Sequence, residues 1–157
     1  MNWRKLDGSR ILLPITEAVE LSIQKELEAG YKLRICIGTD SQVRGKNITF
    51  ATVIVFLREG KGGYMFINSE TIISEMKIRE RMITEVSKSV TTAYDLSETL
   101  TKYDIPLEIH ADINTDTTFK SSVALKEAMG YIMGMGYEFK AKPHAFASSS
   151  CADKVVW

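Results

Sequence analysis

Four acidic side chains stand at positions where the folded chain could bring carboxylates together. Asp40 follows the alternating apolar run 33–37 and is predicted to end a buried strand, and Asp112 ends a later strand pattern in the same way. If these strands are parallel neighbours, both carboxylates emerge at one edge of the sheet, where open α/β sheets bind ligands. Asp153 begins the last helical pattern, and Glu85 lies beside the apolar stripe of a long helix.

Such a cluster would have a definite chemistry. An isolated acid at a strand end is usually explained by turn formation, and the recurrence of acids at comparable places is what favours a site. Two carboxylates about 4 Å apart repel by about 1 to 4 kcal/mol at effective dielectrics between those of water and a protein surface, so the group needs a cation or a shared proton. Because its ligands would all be oxygen atoms, Mg²⁺ or Mn²⁺ is favoured over zinc.

The first half of the chain predicts a helix followed by a meander of three strands. The helix begins at Pro14, repeats apolar residues every fourth position and ends at Gly30. The strand leading to Asp40 comes next, and strands over 48–57 and 64–67 follow through short turns, which makes the three strands antiparallel.

The second half alternates helices and strands. After Ser74 the apolar spacing changes from two residues to about 3.6, which predicts a long helix. A fourth strand over 107–111, a helix over 123–133, a fifth strand over 137–141 and a short final helix complete the pattern. Because a helix separates the fourth strand from the meander, its pairing can be parallel.

Composition excludes several classes of protein. The 157 residues fit one domain, 45% of them are hydrophobic and 25% are charged, as in a globular protein. No apolar run is long enough to span a bilayer, and a cytoplasmic location is the default expectation. The two cysteines suggest neither a disulfide nor zinc, and the zero net charge means that nucleic-acid binding must use a local patch. The oligomeric state stays open.

Three segments carry a family resemblance: Gly-Thr-Asp-Ser-Gln at 38–42, His-Ala-Asp at 110–112 and Lys-Pro-His-Ala-Phe-Ala-Ser-Ser-Ser-Cys-Ala-Asp-Lys at 142–154. With the order of elements, they make the chain similar to the ribonuclease H-like superfamily, and most similar to its small YkuK-type bacterial family of uncharacterised proteins. The resemblance covers nearly the whole chain. It implies a single α/β domain over 1–157, with 1–31 as a helical extension packed on a five-stranded mixed sheet that has helices on both faces.

The resemblance also implies a metal-dependent nuclease that cuts phosphodiester bonds of RNA, DNA or a hybrid with two Mg²⁺ or Mn²⁺ ions. Asp40 would bridge both ions, Glu85 and Asp112 would complete one, and Asp153 would hold the second. Glu80 is the rival of Glu85, since the two lie five residues apart on different faces of the helix.

Substrate contacts are expected near these acids. Polar side chains beside Asp40 could reach a phosphate, although such residues usually solvate a turn, and lysines near the end of the chain could follow a phosphate backbone or lie on an ordinary solvated surface. The candidate substrate-binding residues are Thr39, Ser41, Gln42, Lys142 and Lys154. His110 is expected to be packed and hydrogen-bonded rather than catalytic.

Two other functions compete with a nuclease. A protein that keeps the fold without turnover would bind nucleic acid or act as a scaffold, and carboxylates standing too far apart to share a metal would favour it. An actin or sugar-kinase type of phosphotransferase is less favoured, because the order here is Gly-Thr-Asp and no second domain closes over a nucleotide.

Overall fold

The computed structural model describes residues 2–112, 123–141, 144–152 and 155. Within these residues the chain forms six strands, three α-helices and a terminal π-helical turn, which we call the C-terminal segment. In chain order the elements are β1 (Trp3–Lys5), α1 (Ile15–Glu28), β2 (Leu33–Arg44), β3 (Asn47–Arg58), β4 (Gly63–Ile73), α2 (Ile78–Lys102), β5 (Leu107–His110), α3 (Val123–Gly134), β6 (Glu138–Lys140) and the C-terminal segment (Ala147–Ala152).

The strands form one mixed sheet in the order β1-β4-β3-β2-β5-β6. β2, β3 and β4 are an antiparallel meander, β5 is parallel to β2, and β6 is parallel to β5. These directions confirm the predicted α/β class and the predicted arrangement of three antiparallel strands and two parallel ones. β2 lies between the meander and the parallel pair, so it is the strand that connects the two halves of the sheet.

The predicted number of five strands is wrong, because β1 adds a sixth at the edge. Its three residues pair antiparallel with β4, with Trp3 opposite Asn68. A run of three residues with two cations gives no period-two signal, and the indole of Trp3, which is 5% exposed, is what fixes it against the core. The N-terminal part of the chain therefore contributes a strand as well as a helix.

The long helix α2 ends in a way that sets the start of β5. Asp104 adopts a left-handed φ of 52°, and the N–H of Ile105 donates to the carbonyl of Leu100 at 2.9 Å, which closes the last turn. Pro106 then accepts a hydrogen bond from the N–H of Ile35 in β2 at 3.0 Å. The register of β5 against β2 follows directly from this turn.

Apolar side chains cover both faces of the sheet, as continuous apolar runs in β2 and β3 predict. One face packs against α1, α2 and α3, with Ile35 and Ile37 of β2 among the buried residues. The other face packs against the C-terminal segment, through Cys36 and Val53 on the sheet and Ala147 and Ala152 on the segment. No helix in the described part of the chain is both long and apolar enough to cross a membrane.

Candidate functional site

Asp40 lies within a strand and not at its end, which corrects the sequence prediction. β2 continues past it to Arg44, paired throughout with β3, and Ala51 lies opposite Asp40. The strand continues because its hairpin partner supplies hydrogen bonds after burial has declined, and an apolar pattern does not report such pairing. Oδ1 of Asp40 accepts a hydrogen bond from the backbone N–H of Ser41 at 2.9 Å.

Asp112 approaches Asp40 through the parallel pairing of β2 and β5. Gly38 is the register partner of His110, where the described ladder ends. The same register carried two residues further along each chain places Asp40 beside Asp112, on one face of the sheet because side chains alternate. Both residues are partly exposed. The predicted juxtaposition of these two positions therefore follows from the observed register.

Glu85 comes from α2 and reaches the same place from the opposite face of the sheet. It is 7% exposed, and its Oε2 accepts a hydrogen bond of 2.6 Å from the hydroxyl of Ser41. Glu80 is exposed on the first turn of the helix. Only the first of these two glutamates lies next to the strand that carries Asp40.

The electrostatics of Glu85 show that the three acids interact. Burial is the largest cause that raises the pKa of Glu85, to about 8, and the charges of Asp40 and Asp112 raise it further. The hydrogen bond from Ser41 and the charge of Arg81 act in the opposite direction. At neutral pH and without a cation, the carboxyl group of Glu85 therefore holds a proton for most of the time.

The candidate substrate contacts beside Asp40 divide between the two faces of β2. Thr39 is 2% exposed, and its hydroxyl pairs with those of Ser89 at 2.7 Å and Thr52 at 3.0 Å, so it joins α2 to the sheet inside the core. Ser41 is also buried and contacts Glu85. Gln42 is partly exposed and lies on the same face as Asp40. Of the three, only Gln42 is placed to meet a ligand directly.

Three candidate residues lie outside the described part of the chain: Asp153, Lys142 and Lys154. Ala152, which directly precedes the first of them, is fully buried against the sheet.

A second polar group lies on the face of the sheet that the C-terminal segment covers. The group, which we call the Cys36 trio, consists of Cys36, Glu108 and His110. Among the described residues, these are the three side chains whose potential metal-ligand atoms all lie within 4.8 Å of one another. Burial raises the pKa of Cys36 to about 12 and lowers that of His110, so the thiol and the imidazole are both neutral. Sequence reasoning did not single out Glu108; the available signal was a glutamate and a histidine alternating inside a buried strand.

The three acids suit a hard divalent cation by their chemistry. They offer only oxygen atoms, and the pKa of Glu85 is raised by its own burial and by the charges of Asp40 and Asp112, an effect that a bound cation would offset. Their oxygen atoms do not all lie within the 4.8 Å that the Cys36 trio satisfies.

Most of the chain matches a known family of proteins. The family model described as "Ribonuclease H-like" matches residues 15–156. The uncharacterised protein YkuK of Bacillus subtilis (strain 168) is 29% identical over 154 residues, which cover 89% of this chain and 87% of YkuK. Among solved structures, RNase H1 of the halophilic archaeon Halobacterium salinarum covers 76% of this chain and 89% of its own, at 15% identity and a TM-score of 0.43.

Proposed function

Because this chain belongs to the ribonuclease H-like family, we propose that it is a metal-dependent nuclease that hydrolyses phosphodiester bonds of nucleic acid in the cytoplasm. Asp40, Glu85 and Asp112 form the proposed catalytic centre, and Asp153 is the proposed fourth ligand. The substrate class is RNA, DNA or a hybrid of the two.

The observation that carries this proposal is the environment of Glu85. It is a buried carboxyl group, fixed by Ser41, whose pKa is raised by both Asp40 and Asp112. Carboxyl groups from β2, the end of β5 and α2 are thus within electrostatic reach of one another, although they are far apart in the sequence. The charge of Arg81 is outweighed here by burial and by two acids, so the ionised form of Glu85 that would bind a metal calls for a further cation.

The residues around the centre have separate proposed roles. Two Mg²⁺ or Mn²⁺ ions held by the four acids would activate the attacking water and stabilise the leaving oxygen. Ser41 orients two ligands at once, since its hydroxyl donates to Glu85 and its backbone N–H donates to Asp40. Gln42, Lys142 and Lys154 are proposed to contact the substrate, while Thr39 fixes α2 against β2.

Cleavage of labelled single-stranded, duplex and hybrid RNA and DNA with Mg²⁺ or Mn²⁺ tests the proposal. Asp40→Asn removes a charge with little change in volume, and we expect it to abolish metal-dependent cutting. Asp95→Asn makes the same change at an exposed position of α2 and is the matched control, which should cut as the wild type does. A wild type that cuts none of these substrates, or an Asp40→Asn variant that cuts equally well, would contradict the proposal.

The spacing of the acids favours one alternative, a family member that binds nucleic acid without cutting it. The carboxylate oxygen atoms of Asp40, Glu85 and Asp112 do not all lie within 4.8 Å of one another, as this alternative expects. Filter binding of the same substrates, with and without Mg²⁺, distinguishes the two. Binding without cutting, unaffected by Asp40→Asn, would establish the alternative.

A further inference from the structure

The buried side chains of Glu108 and His110 belong to a polar network that links Arg34 of β2 to the C-terminal segment. Arg34 Nη1 donates to Glu108 Oε2 at 2.7 Å, and the other carboxylate oxygen lies 3.2 Å from His110 Nε2. On the far side of the ring, the backbone N–H of Ala147 donates to His110 Nδ1 at 3.1 Å. His110 is 1% exposed and Glu108 is 5% exposed.

The hydrogen bond from Ala147 determines which ring nitrogen of His110 carries the proton. Because Nδ1 accepts a proton donor, the ring proton is on Nε2, where it donates to Glu108. A histidine that binds a metal through one nitrogen normally donates a hydrogen bond from the other. The arrangement therefore disfavours a metal at Cys36, Glu108 and His110, although the spacing of the three would allow one.

Glu108 and His110 lie on the same face of the sheet as Asp40 and Asp112. Glu108, His110 and Asp112 alternate along one face, and Cys36 pairs in register with Glu108. The Phe146 ring stands edge-on to the His110 ring, with centroids 4.7 Å apart at 84°. His110 is thus contacted by the backbone of Ala147, the first residue of the C-terminal segment, and by the ring of Phe146 directly before it. The segment leads in the sequence to Asp153.

We propose that Glu108 and His110 are positioning residues that fix the C-terminal segment, and with it Ala152 directly before the proposed ligand Asp153, to the sheet. The metal-binding part of this inference rests on the proposed function, and the anchoring part stands without it. His110 is the central member, because its ring hydrogen-bonds to both Glu108 and the C-terminal segment. Arg34 supplies the cationic partner of the buried Glu108 side chain.

Hydrogen exchange and Mn²⁺ binding test the inference without requiring cleavage. His110→Leu removes both hydrogen bonds, and we expect exchange in the 147–152 peptide to rise at least about tenfold while peptides of α1 and α2 are unchanged. The affinity for Mn²⁺, measured by calorimetry, should fall by about tenfold or more. His110→Asn keeps an acceptor near the Nδ1 position and should recover most of the protection.

Two further variants keep the test decisive. His144→Leu makes the same substitution at an exposed histidine and should change neither readout. Arg34→Gln acts from the surface, so it provides the same measurement if His110→Leu does not fold, and it should also loosen the 147–152 peptide.

Several outcomes would overturn the inference. Uniform loosening of all peptides would show that His110 is only a core residue, and unchanged exchange at 147–152 would show that it anchors nothing. Tight Zn²⁺ binding that is lost in both Cys36→Ser and His110→Leu would identify a metal site instead. If exchange responds as expected while the wild type neither binds Mn²⁺ nor cuts nucleic acid, the anchoring is correct and the proposed nuclease is wrong.

Discussion

At the scale of single residues, Glu85 carries the most information about the site. The sequence predicts its position on the flank of an apolar stripe, and it leaves Glu80 as the other candidate for the helix acid. Its burial and its contact with Ser41 depend on how α2 crosses β2, and no local pattern reports that crossing. For the same reason, Thr39 and Ser41 were both predicted to contact substrate, whereas in the structure their hydroxyl groups point inward, to Ser89 and to Glu85.

The raised pKa of Glu85 predicts how stability depends on pH. In the unfolded chain this group titrates near 4.5, and in the folded chain near 8. Between these values the folded state holds a proton that the unfolded state has lost. The stability contributed by the neutral form is therefore fully present below about pH 4.5 and is lost as the pH rises through 8.

Urea unfolding of the metal-free protein at pH 5 and pH 8 checks this dependence. Glu85→Gln is neutral at both values, so the wild type should lose up to about 4 kcal/mol more than this variant over the interval. Glu80→Gln removes an exposed acid of the same helix and should behave as the wild type. If Glu80→Gln, and not Glu85→Gln, reduces the dependence, the assignment of the helix acid is reversed.

At the scale of elements, the strands with strong alternation were the predictable part of the fold. Apolar residues on both faces predicted β2 and β3 as buried strands, and the intervening helix indicated that β5 is parallel to β2. β1 was missed because three residues define no period, and the end of β2 was misplaced because β3 determines it. The contact of His110 with Ala147 joins residues 37 positions apart, which no spacing rule connects.

Because Trp3 of β1 is buried in the core, we expect removal of its side chain to reduce the stability of the protein substantially. Trp3→Ala should reduce the free energy of unfolding by about 3 to 5 kcal/mol, because the indole lies in the core cluster and the variant leaves a cavity. Leu12→Ala, at a side chain that is 91% exposed, should change it by less than about 0.5 kcal/mol. A loss below 1 kcal/mol at Trp3 would show that residues 1–31 do not fold as one unit with the sheet.

At the scale of the whole molecule, charge is balanced, with 20 basic and 20 acidic residues. The nucleic-acid binding that we propose would therefore rely on a few cations near the acids, and it should depend only weakly on salt compared with a basic protein. Lys46, exposed at the tip of the β2–β3 hairpin, is a candidate because the hairpin extends beyond Asp40.

Salt titration of nucleic-acid binding measures that contribution. Lys46→Gln should lower the slope of log K against log salt by about one unit, which is the signature of one lost phosphate contact. Lys25→Gln, at an exposed lysine of α1, should leave the slope unchanged. Equal slopes for all three proteins would remove the hairpin tip from the binding surface.

The strands of the sheet differ in length, and this difference affects how a substrate would be held. β2 and β3 have 12 residues each, whereas β5 has four and β6 has three. Asp40 therefore stands at a step: on one side the backbone continues past it, paired with β3, and on the other side β5 and β6 end at His110 and Lys140. A strand of nucleic acid lying across this step would meet two unlike flanks. We expect the nucleotides upstream and downstream of the cleaved bond to contribute unequally to binding.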